Sequence, residues 1–197
     1  MPMNRLKRVV AAISAYAAHP DPRAVIANTV ALVIVSNQPF YPLYLHWAVG
    51  PVVSPSYVTF LSTPFFAAVP AAMRRNCLLG RALLLVAGIG NTLLCRIAFG
   101  AGSGVEVFLF PCLILALMLF RRSERIFALG FAALAFAAYL LPTATLGAPL
   151  HIYEPREYEA LQHLNFLSAA SLTALIGWLF SERLDTISLA DETAGTG

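Results

Sequence analysis

The stretch S-N-Q-P-F-Y-P-L-Y-L-H-W-A-V-G, residues 36–50, interrupts a segment that begins like an ordinary membrane helix. It follows the apolar run A-V-I-A-N-T-V-A-L-V-I-V at 24–35 and contains two prolines, an Asn, a Gln, two tyrosines, a histidine and a tryptophan. Polar groups and helix breakers are costly inside a bilayer, so their concentration at one place calls for a structural or functional reason.

The composition indicates that lipid surrounds most of the protein. The 197 residues are 59% hydrophobic and 12% charged, with a mean hydropathy of +0.73. A soluble domain has about 25% charged residues, so this chain has too few charges to cover a water-facing surface. The three cysteines, Cys77, Cys95 and Cys112, occur singly and without metal-ligand spacing, which favours a packing role.

Six apolar stretches approach the length of about 20 residues that a helix needs to cross a bilayer. They cover approximately 24–49, 52–72, 78–99, 104–120, 125–142 and 160–180. The fourth stretch is the shortest. The pattern predicts an all-α polytopic membrane protein with six transmembrane helices. Residues 1–23 form a basic, amphipathic N-terminal segment, residues 24–182 the membrane module, and residues 183–197 a tail.

The distribution of charge predicts the orientation. Eleven of the thirteen Lys and Arg residues precede the first span, flank the second and fourth connections between spans, or follow the sixth span. Only Arg96 and Arg156 fall on the opposite side. That side also contains four glutamates, Glu106, Glu154, Glu157 and Glu159. The positive-inside rule therefore places both termini in the cytoplasm.

The opening stretch divides into an outer and an inner part. Tyr41, Tyr44 and Trp47, with His46, have the character of an aromatic belt at the outer interface. Asn37 and Gln38 lie about 15–20 Å deeper, at 1.5 Å per residue, which is close to the middle of the bilayer. Polar residues at that depth usually face the bundle interior. We expect them to partner backbone carbonyls freed by Pro39 and Pro42, and to form the wall of a pocket.

Two other segments place polar groups near the outer surface. In R-I-A-F-G-A-G-S-G-V-E-V-F-L-F-P at 96–111, small residues predict a turn, and Glu106 opens the fourth helix within reach of Arg96. The outer connection at 141–159 is acidic and contains prolines, His151, Tyr153 and Tyr158. A solvated loop is the favoured interpretation, and a cover over the outer mouth of the bundle is the alternative.

Four motifs together resemble a known kind of membrane module. They are NQPFYPLYLHW at the first helix, YVTFLSTPFFAAVPAAMRR at the second, GAGSGVEVFLFP before the fourth, and GWLFSERLD at the end of the sixth. The array is similar to the six-helix membrane modules of bacterial class III adenylate cyclases. Similar modules precede some GGDEF diguanylate cyclases and some sensor histidine kinases, including quorum-sensing kinases. The resemblance covers approximately residues 24–185.

The resemblance implies a dimeric receptor module in the bacterial inner membrane. Such a module binds a small apolar or amphipathic ligand, in related quorum-sensing kinases a lipid-like ketone, and converts binding into a shift of its last helix. By position, it implies a pocket at Phe40, Tyr41, Tyr44 and Trp47. With the polar groups described above, the complete candidate set is Asn37, Gln38, Phe40, Tyr41, Tyr44, His46, Trp47, Arg96 and Glu106.

The chain departs from these families after the sixth helix. Only R-L-D-T-I-S-L-A-D-E-T-A-G-T-G follows, without a GG[DE]EF motif or a kinase ATP-binding region. Leu184, Ile187 and Leu189 predict a continuing output helix, and residues 193–197 predict disorder. We expect either a piece of a larger signalling protein or a free-standing receptor that acts on a cytoplasmic partner. We expect no enzymatic activity, cofactor, metal or nucleic-acid partner; its partners are membrane lipids, the ligand and a second copy.

Three functions from other classes remain as alternatives. A membrane enzyme would need H-E-x-x-H, G-x-S-x-G or clustered acids, which the sequence lacks. A haem protein would use His46 and His163, near the outer ends of the first and sixth spans, as axial ligands. A small transporter or channel would need ionisable groups at mid-depth, where Asn37, Gln38 and Asn91 are neutral. For the receptor, we expect Gln38→Leu to weaken the ligand response without unfolding the protein.

Overall fold

All secondary structure in the part of the chain that the structure describes is helical, which confirms the all-α prediction. The structure is a computed structural model that describes residues 2–142 and 145–195; for residues 2–4, 6 and 184–195 it describes the backbone alone. The α-helices are α1 (Pro2–Ala17), α2 (Pro22–Asn37), α3 (Tyr41–Ala48), α4 (Thr63–Arg75), α5 (Cys77–Phe99), α6 (Leu109–Leu119), α7 (Arg125–Leu140) and α8 (Pro155–Gly195). Short 3₁₀ segments occupy Gln38–Phe40, Ser54–Leu61, Ala101–Ser103, Val105–Phe108 and Arg122–Glu124.

Five helical stretches in these residues are long and apolar enough to cross a membrane. They are Pro22–Ala48, Ser54–Arg75, Cys77–Phe99, Arg122–Leu140 and Pro155–Arg183. The remaining predicted span, Val105–Leu119, is apolar but shorter. The protein is therefore an all-α polytopic membrane protein in which the fourth span is the short one, as its sequence length suggests.

Polar side chains cap the N-termini of α2 and α5. Asp21 caps α2 by accepting a hydrogen bond from the Arg23 amide, and Pro22 occupies the first turn. Asn76 separates α4 from α5, and its side chain accepts hydrogen bonds from two amides of α5. A Cβ at Gly80 would lie 2.7 Å from Met73 Cα, so only glycine permits this close approach of α4 and α5.

The core is built around α5. Half of the most apolar stretch of Cys77–Phe99 is buried inside the protein, against 17% of that of Pro155–Arg183. The larger apolar cluster joins α2, α4, α5, α6, α7 and α8. A smaller cluster lies around the C-terminal end of α5 and includes Tyr41, Leu45, Phe99, Tyr153 and Leu161. The protein therefore leaves most of the membrane-spanning part of α8 uncovered, whereas it covers much of α5.

The charge pattern assigns the start of α2, the connection between α4 and α5, and the segment after α6 to one side of the membrane. These segments lie together in the structure, at what we call the basic end. An Asp21–Arg121 ion pair of 3.0 Å joins the start of α2 to the segment after α6. Arg81, which is buried, forms a bidentate pair with Glu124 at 2.8 and 3.0 Å and donates to Leu119 O. Arg74 donates to Tyr16 O at 2.8 Å and stacks over the Tyr16 ring. These contacts agree with the predicted alternation of the spans.

The remaining connections meet at the opposite end, which we call the acidic end. Tyr153 donates a hydrogen bond to Val52 O, and the Leu150 amide donates to Ala98 O. Gln162 at the start of α8 donates to Gly102 O in the turn after α5. Gly100 and Gly104 in that turn have φ of 80° and 68°, a conformation that favours glycine.

The N-terminal and C-terminal segments extend beyond the bundle. The predicted amphipathic helix is present as α1, whose Val9, Val10 and Ile13 are each more than half exposed, while its location at the membrane surface stays a prediction. At the other terminus, the backbone of α8 is helical to Gly195, which supports a continuing output helix. It thus extends into the segment 193–197 predicted to be disordered, of which residues 196–197 lie outside the described residues.

We predict that Glu124→Gln destabilises the protein by up to about 3 kcal/mol, because it leaves the buried Arg81 guanidinium without its counter-ion. The matched control is Arg121→Gln. Arg121 is 61% exposed on its side chain, so losing its pair with Asp21 should cost less than about 1 kcal/mol. Denaturant titration of both variants in the same detergent measures the difference; equal losses would contradict the importance assigned to the buried pair.

Candidate ligand cavity

The first span changes from α-helix to 3₁₀-helix at the prolines that the sequence marks. α2 ends at Asn37, Gln38–Phe40 forms a 3₁₀ turn, and α3 begins at Tyr41. Pro39 has no amide hydrogen to donate, so the α-helical ladder cannot continue through it. The tighter turn satisfies the Gln38 carbonyl, which accepts a hydrogen bond from the Tyr41 amide.

Gln38 connects this break to the second span. Its side-chain NH₂ group donates to Thr59 O at 2.9 Å and to Ser62 Oγ at 2.7 Å, and its carbonyl oxygen accepts from Thr63 Oγ1 at 2.6 Å. The expectation that the Asn37 and Gln38 side chains would partner the carbonyls of their own helix is therefore wrong for Gln38. Asn37 is exposed and accepts a long hydrogen bond of 3.5 Å from Tyr44.

A cavity of about 560 Å³ lies beside this break. Its walls come from α2, the 3₁₀ turn and α3, from the second span through Thr59 and Phe66, from α5, from the segment Val105–Leu119, and from α8. Among the lining residues, Val33, Asn37 and Tyr44 on one wall and Leu167 and Ser171 on the opposite wall are exposed. The cavity therefore opens sideways between the first and last spans, at a level where lipid surrounds the protein.

The polar groups of the cavity wall lie in its middle and acidic-end half. They are Asn37, Gln38, Tyr41, Tyr44, Thr59, Asn91, Thr92, Ser168 and Ser171. The half nearer the basic end is lined by apolar side chains, among them Ile34, Leu84, Leu85, Leu115 and Leu175. The wall contains no Asp, Glu, Lys, Arg or His among the described residues.

A chain of buried hydrogen bonds fixes the acidic end of the cavity. Tyr41 donates from its hydroxyl to Asn165 Oδ1 at 3.1 Å, and Asn165 Nδ2 donates to Ser103 O at 3.0 Å. Asn165 is fully buried, and the Tyr41 ring packs edge-on against Phe99. These bonds fix the positions of α3, α8 and the turn after α5 relative to one another, so the polar groups of three spans lie close together.

Arg96 and Glu106 form the ion pair that their positions suggest. Arg96 Nε lies 2.9 Å from Glu106 Oε1, and Arg96 Nη1 donates to Ala138 O and Tyr139 O. Both side chains are largely buried. Neither lines the cavity, so the structure places this pair where it ties α5 and the short fourth span to the end of α7.

The other predicted candidates lie on the surface. Phe40 is half-exposed and stacks against Tyr44 with ring centroids 6.4 Å apart. His46 and Trp47 are exposed, Trp47 to 94%, and none of these three residues lines the cavity. His163, the second residue of the haem alternative, is also exposed and outside the cavity wall. In the described residues, no three His, Cys, Asp or Glu are grouped to hold a metal ion.

The later part of the outer connection packs onto the bundle. Tyr153 is buried, stacks on Phe99 with centroids 6.1 Å apart, and contacts the rings of His151 and Tyr158. Burial, with smaller effects of Glu157 and Tyr158, raises the pKa of Tyr153 to about 12. A fully solvated loop is therefore the wrong interpretation for this part; residues 143–144 lie outside the described residues.

Sequence reasoning missed the contributions of α5, α6 and α8 to the cavity. Thr92, Ser168 and Ser171 line it, and Asn165 anchors its acidic end. A signal was available in the sixth span, where Asn165, Ser168 and Ser171 recur every three residues and so share a face of an otherwise apolar helix. Comparison of the chain with protein-family models, with curated proteins and with solved structures found no match.

We predict that Gln38→Leu lowers the free energy of unfolding by about 1–3 kcal/mol, because it leaves buried polar groups of the second span without their partner. This differs from the effect on ligand response alone that the sequence suggests. Asn37→Leu is the matched control at the neighbouring position, and we expect a change within about 0.5 kcal/mol there. Denaturation in detergent measures both; a neutral Gln38→Leu would show that its hydrogen bonds do not stabilise the bundle.

Proposed function

We propose that the protein is a membrane-embedded receptor module that binds a small apolar or amphipathic ligand and transmits binding through α8. The observation that carries this proposal is the cavity between the first and last spans. Its volume falls in the range of small-molecule sites, and its wall is mainly apolar with a few convergent polar groups. The sideways opening gives a ligand dissolved in lipid a direct route into the cavity.

The last helix is suited to transmit the change. α8 forms one wall of the cavity and is a single helix that continues beyond its membrane-spanning part to Gly195. Protein covers little of it, so a small change in contact energy is enough to favour another position. A ligand that contacts both α2 and α8 would stabilise one separation of these helices over another. The shift would reach a cytoplasmic output of the cyclic-nucleotide or kinase type.

The remaining features of the proposal rest on the sequence. The charge pattern favours cytoplasmic termini, and the resemblance favours the bacterial inner membrane and a homodimer. The small residues Gly88, Gly90, Ala98 and Gly100 would permit close contact between two copies. Two of them pack within one copy, because a Cβ at Gly88 would lie 2.9 Å from Cys112 Sγ and Ala98 is buried. A dimer would therefore not use Gly88 or Ala98, whereas a Cβ at Gly90 would meet nothing within 4 Å. Catalytic activity is expected in a partner or a larger protein, and none is proposed for this chain.

We predict that Ser171→Phe abolishes ligand retention, because an aromatic ring at the rim fills the opening of the cavity. Ala174→Phe is the matched control: Ala174 is exposed on the same helix but does not line the cavity. Native mass spectrometry of the protein released from detergent should detect a bound lipid-like mass in the wild type and the control, and none in Ser171→Phe. The proposal would be contradicted if the wild-type protein retained no copurified ligand and also bound no added ligand.

We also predict that ligand binding changes the environment of Trp178 on α8. The chain has two tryptophans, and Trp47→Phe leaves Trp178, which is 65% exposed, as the single reporter. Quenching of its fluorescence by lipids brominated at different depths should change on ligand addition, and should not change when Ser171→Phe is also present. Binding without any change at Trp178 would contradict transmission through α8 and leave binding itself intact.

A further inference from the structure

We infer that the cavity selects single-chain amphiphiles with an uncharged head group, held with the head towards the acidic end and the chain towards the basic end. This inference rests on the proposed function, since it specifies the ligand class of the same cavity. It follows from the charges, the unused hydrogen-bonding groups and the polarity of the cavity wall.

Among the described residues, the cavity wall has no charged side chain. The nearest charged side chains in sequence, Arg96 and Glu106, adjoin the lining residues Cys95 and Val105 but pair with each other at 2.9 Å. A carboxylate, phosphate or ammonium head would leave water without finding a counter-ion, and this desolvation is strongly unfavourable. An uncharged polar head needs only hydrogen-bond partners.

The cavity wall offers hydrogen-bond partners to an uncharged polar head. Asn91 Oδ1 accepts a hydrogen bond from Ser62 Oγ at 2.8 Å, whereas the Asn91 NH₂ group makes no hydrogen bond within the described part of the protein. Among the residues that the structure describes, Ser168 donates to Leu164 O while its oxygen accepts no hydrogen bond, and the Ser171 hydroxyl at the rim forms none. Together these groups donate to and accept from a neutral head such as an alcohol, an amide or an ester.

The polarity of the cavity wall changes from the acidic end to the basic end. Asn91 and Ser168 lie in the acidic-end half of the cavity, and the basic-end half is lined by Leu84, Leu85 and Leu115. Burial of a hydrocarbon chain against these leucines and hydrogen bonding of the head at Asn91 are possible together only in one orientation. The cavity volume of about 560 Å³ suits one small ligand.

The test compares four probes that share one alkyl chain and differ in the head: dodecan-1-ol, dodecanamide, dodecanoate and dodecylamine. Native mass spectrometry of the full chain in lipid nanodiscs at neutral pH measures the bound fraction of each. The alcohol and the amide should bind at least about tenfold more tightly than the two ions, because only the ions lose hydration without gaining a counter-ion. Dodecanoate should gain affinity as the pH falls and its carboxylate becomes neutral.

A charge placed in the wall should reverse this order. Asn91→Asp retains the acceptor for Ser62 and should raise the affinity for dodecylamine about tenfold while lowering that for the alcohol. Ser171→Asp at the exposed rim provides a second variant that does not disturb buried packing, and Ala174→Asp is its control outside the cavity. Native mass spectrometry of the wild-type protein purified without added probe shows whether a ligand is taken from the host membrane or must be supplied.

The outcomes distinguish this inference from the proposed function. Tight binding of dodecanoate or dodecylamine to the wild type at neutral pH would overturn the selection of uncharged heads and leave the receptor proposal standing. Binding of none of the four probes would overturn both. Three results together would establish the inference. The wild type prefers the uncharged probes, Asn91→Asp or Ser171→Asp shifts this preference towards dodecylamine, and Ala174→Asp leaves it unchanged.

Discussion

The hydrogen bonds of the Gln38 side chain join the first two spans at the one place where the first span departs from α-helix. Inside a bilayer, no water is present to pair with polar groups exposed by a broken helix. Gln38 binds Thr59, Ser62 and Thr63, and Ser62 in turn binds Asn91 on α5. This short network positions three spans around the cavity. The wall near α2 therefore depends on an amide that is occupied by structural bonds and is not free for a ligand.

Ion pairs hold both ends of the bundle, and uncharged contacts are added to them at the acidic end. At the basic end, guanidinium groups bind carboxylates and helix-terminal carbonyls, and the buried Arg81 makes both kinds of contact. At the acidic end, stacked aromatic rings and uncharged hydrogen bonds between Tyr41, Asn165 and Ser103 act beside an ion pair, that of Arg96 and Glu106. The cavity wall is uncharged because the ions nearest to it in sequence, Arg96 and Glu106, pair with each other outside its lining.

The sequence predicts the spans well because each is a long apolar segment bounded by charge, proline or glycine. It also predicts the Arg96–Glu106 pair, because both residues flank one short turn. It cannot predict that Gln38 binds the second span, since this depends on how two helices rotate against each other. For the same reason it treats Phe40, Trp47 and Tyr41 alike as pocket candidates, whereas packing buries Tyr41 and leaves Trp47 exposed. Contacts between residues far apart in the chain determine which of these side chains are buried.

The short fourth span has a consequence for the surrounding bilayer. Val105–Leu119 is shorter than the neighbouring spans, and Phe110 and Leu117 on it are exposed. Lipid chains beside this helix must shorten to match it, whereas those beside α5 and α8 meet longer apolar surfaces. The hydrocarbon boundary around the protein is therefore uneven. We expect the protein to prefer thin bilayers, and to collect lipids with short or disordered chains along the side that contains α6.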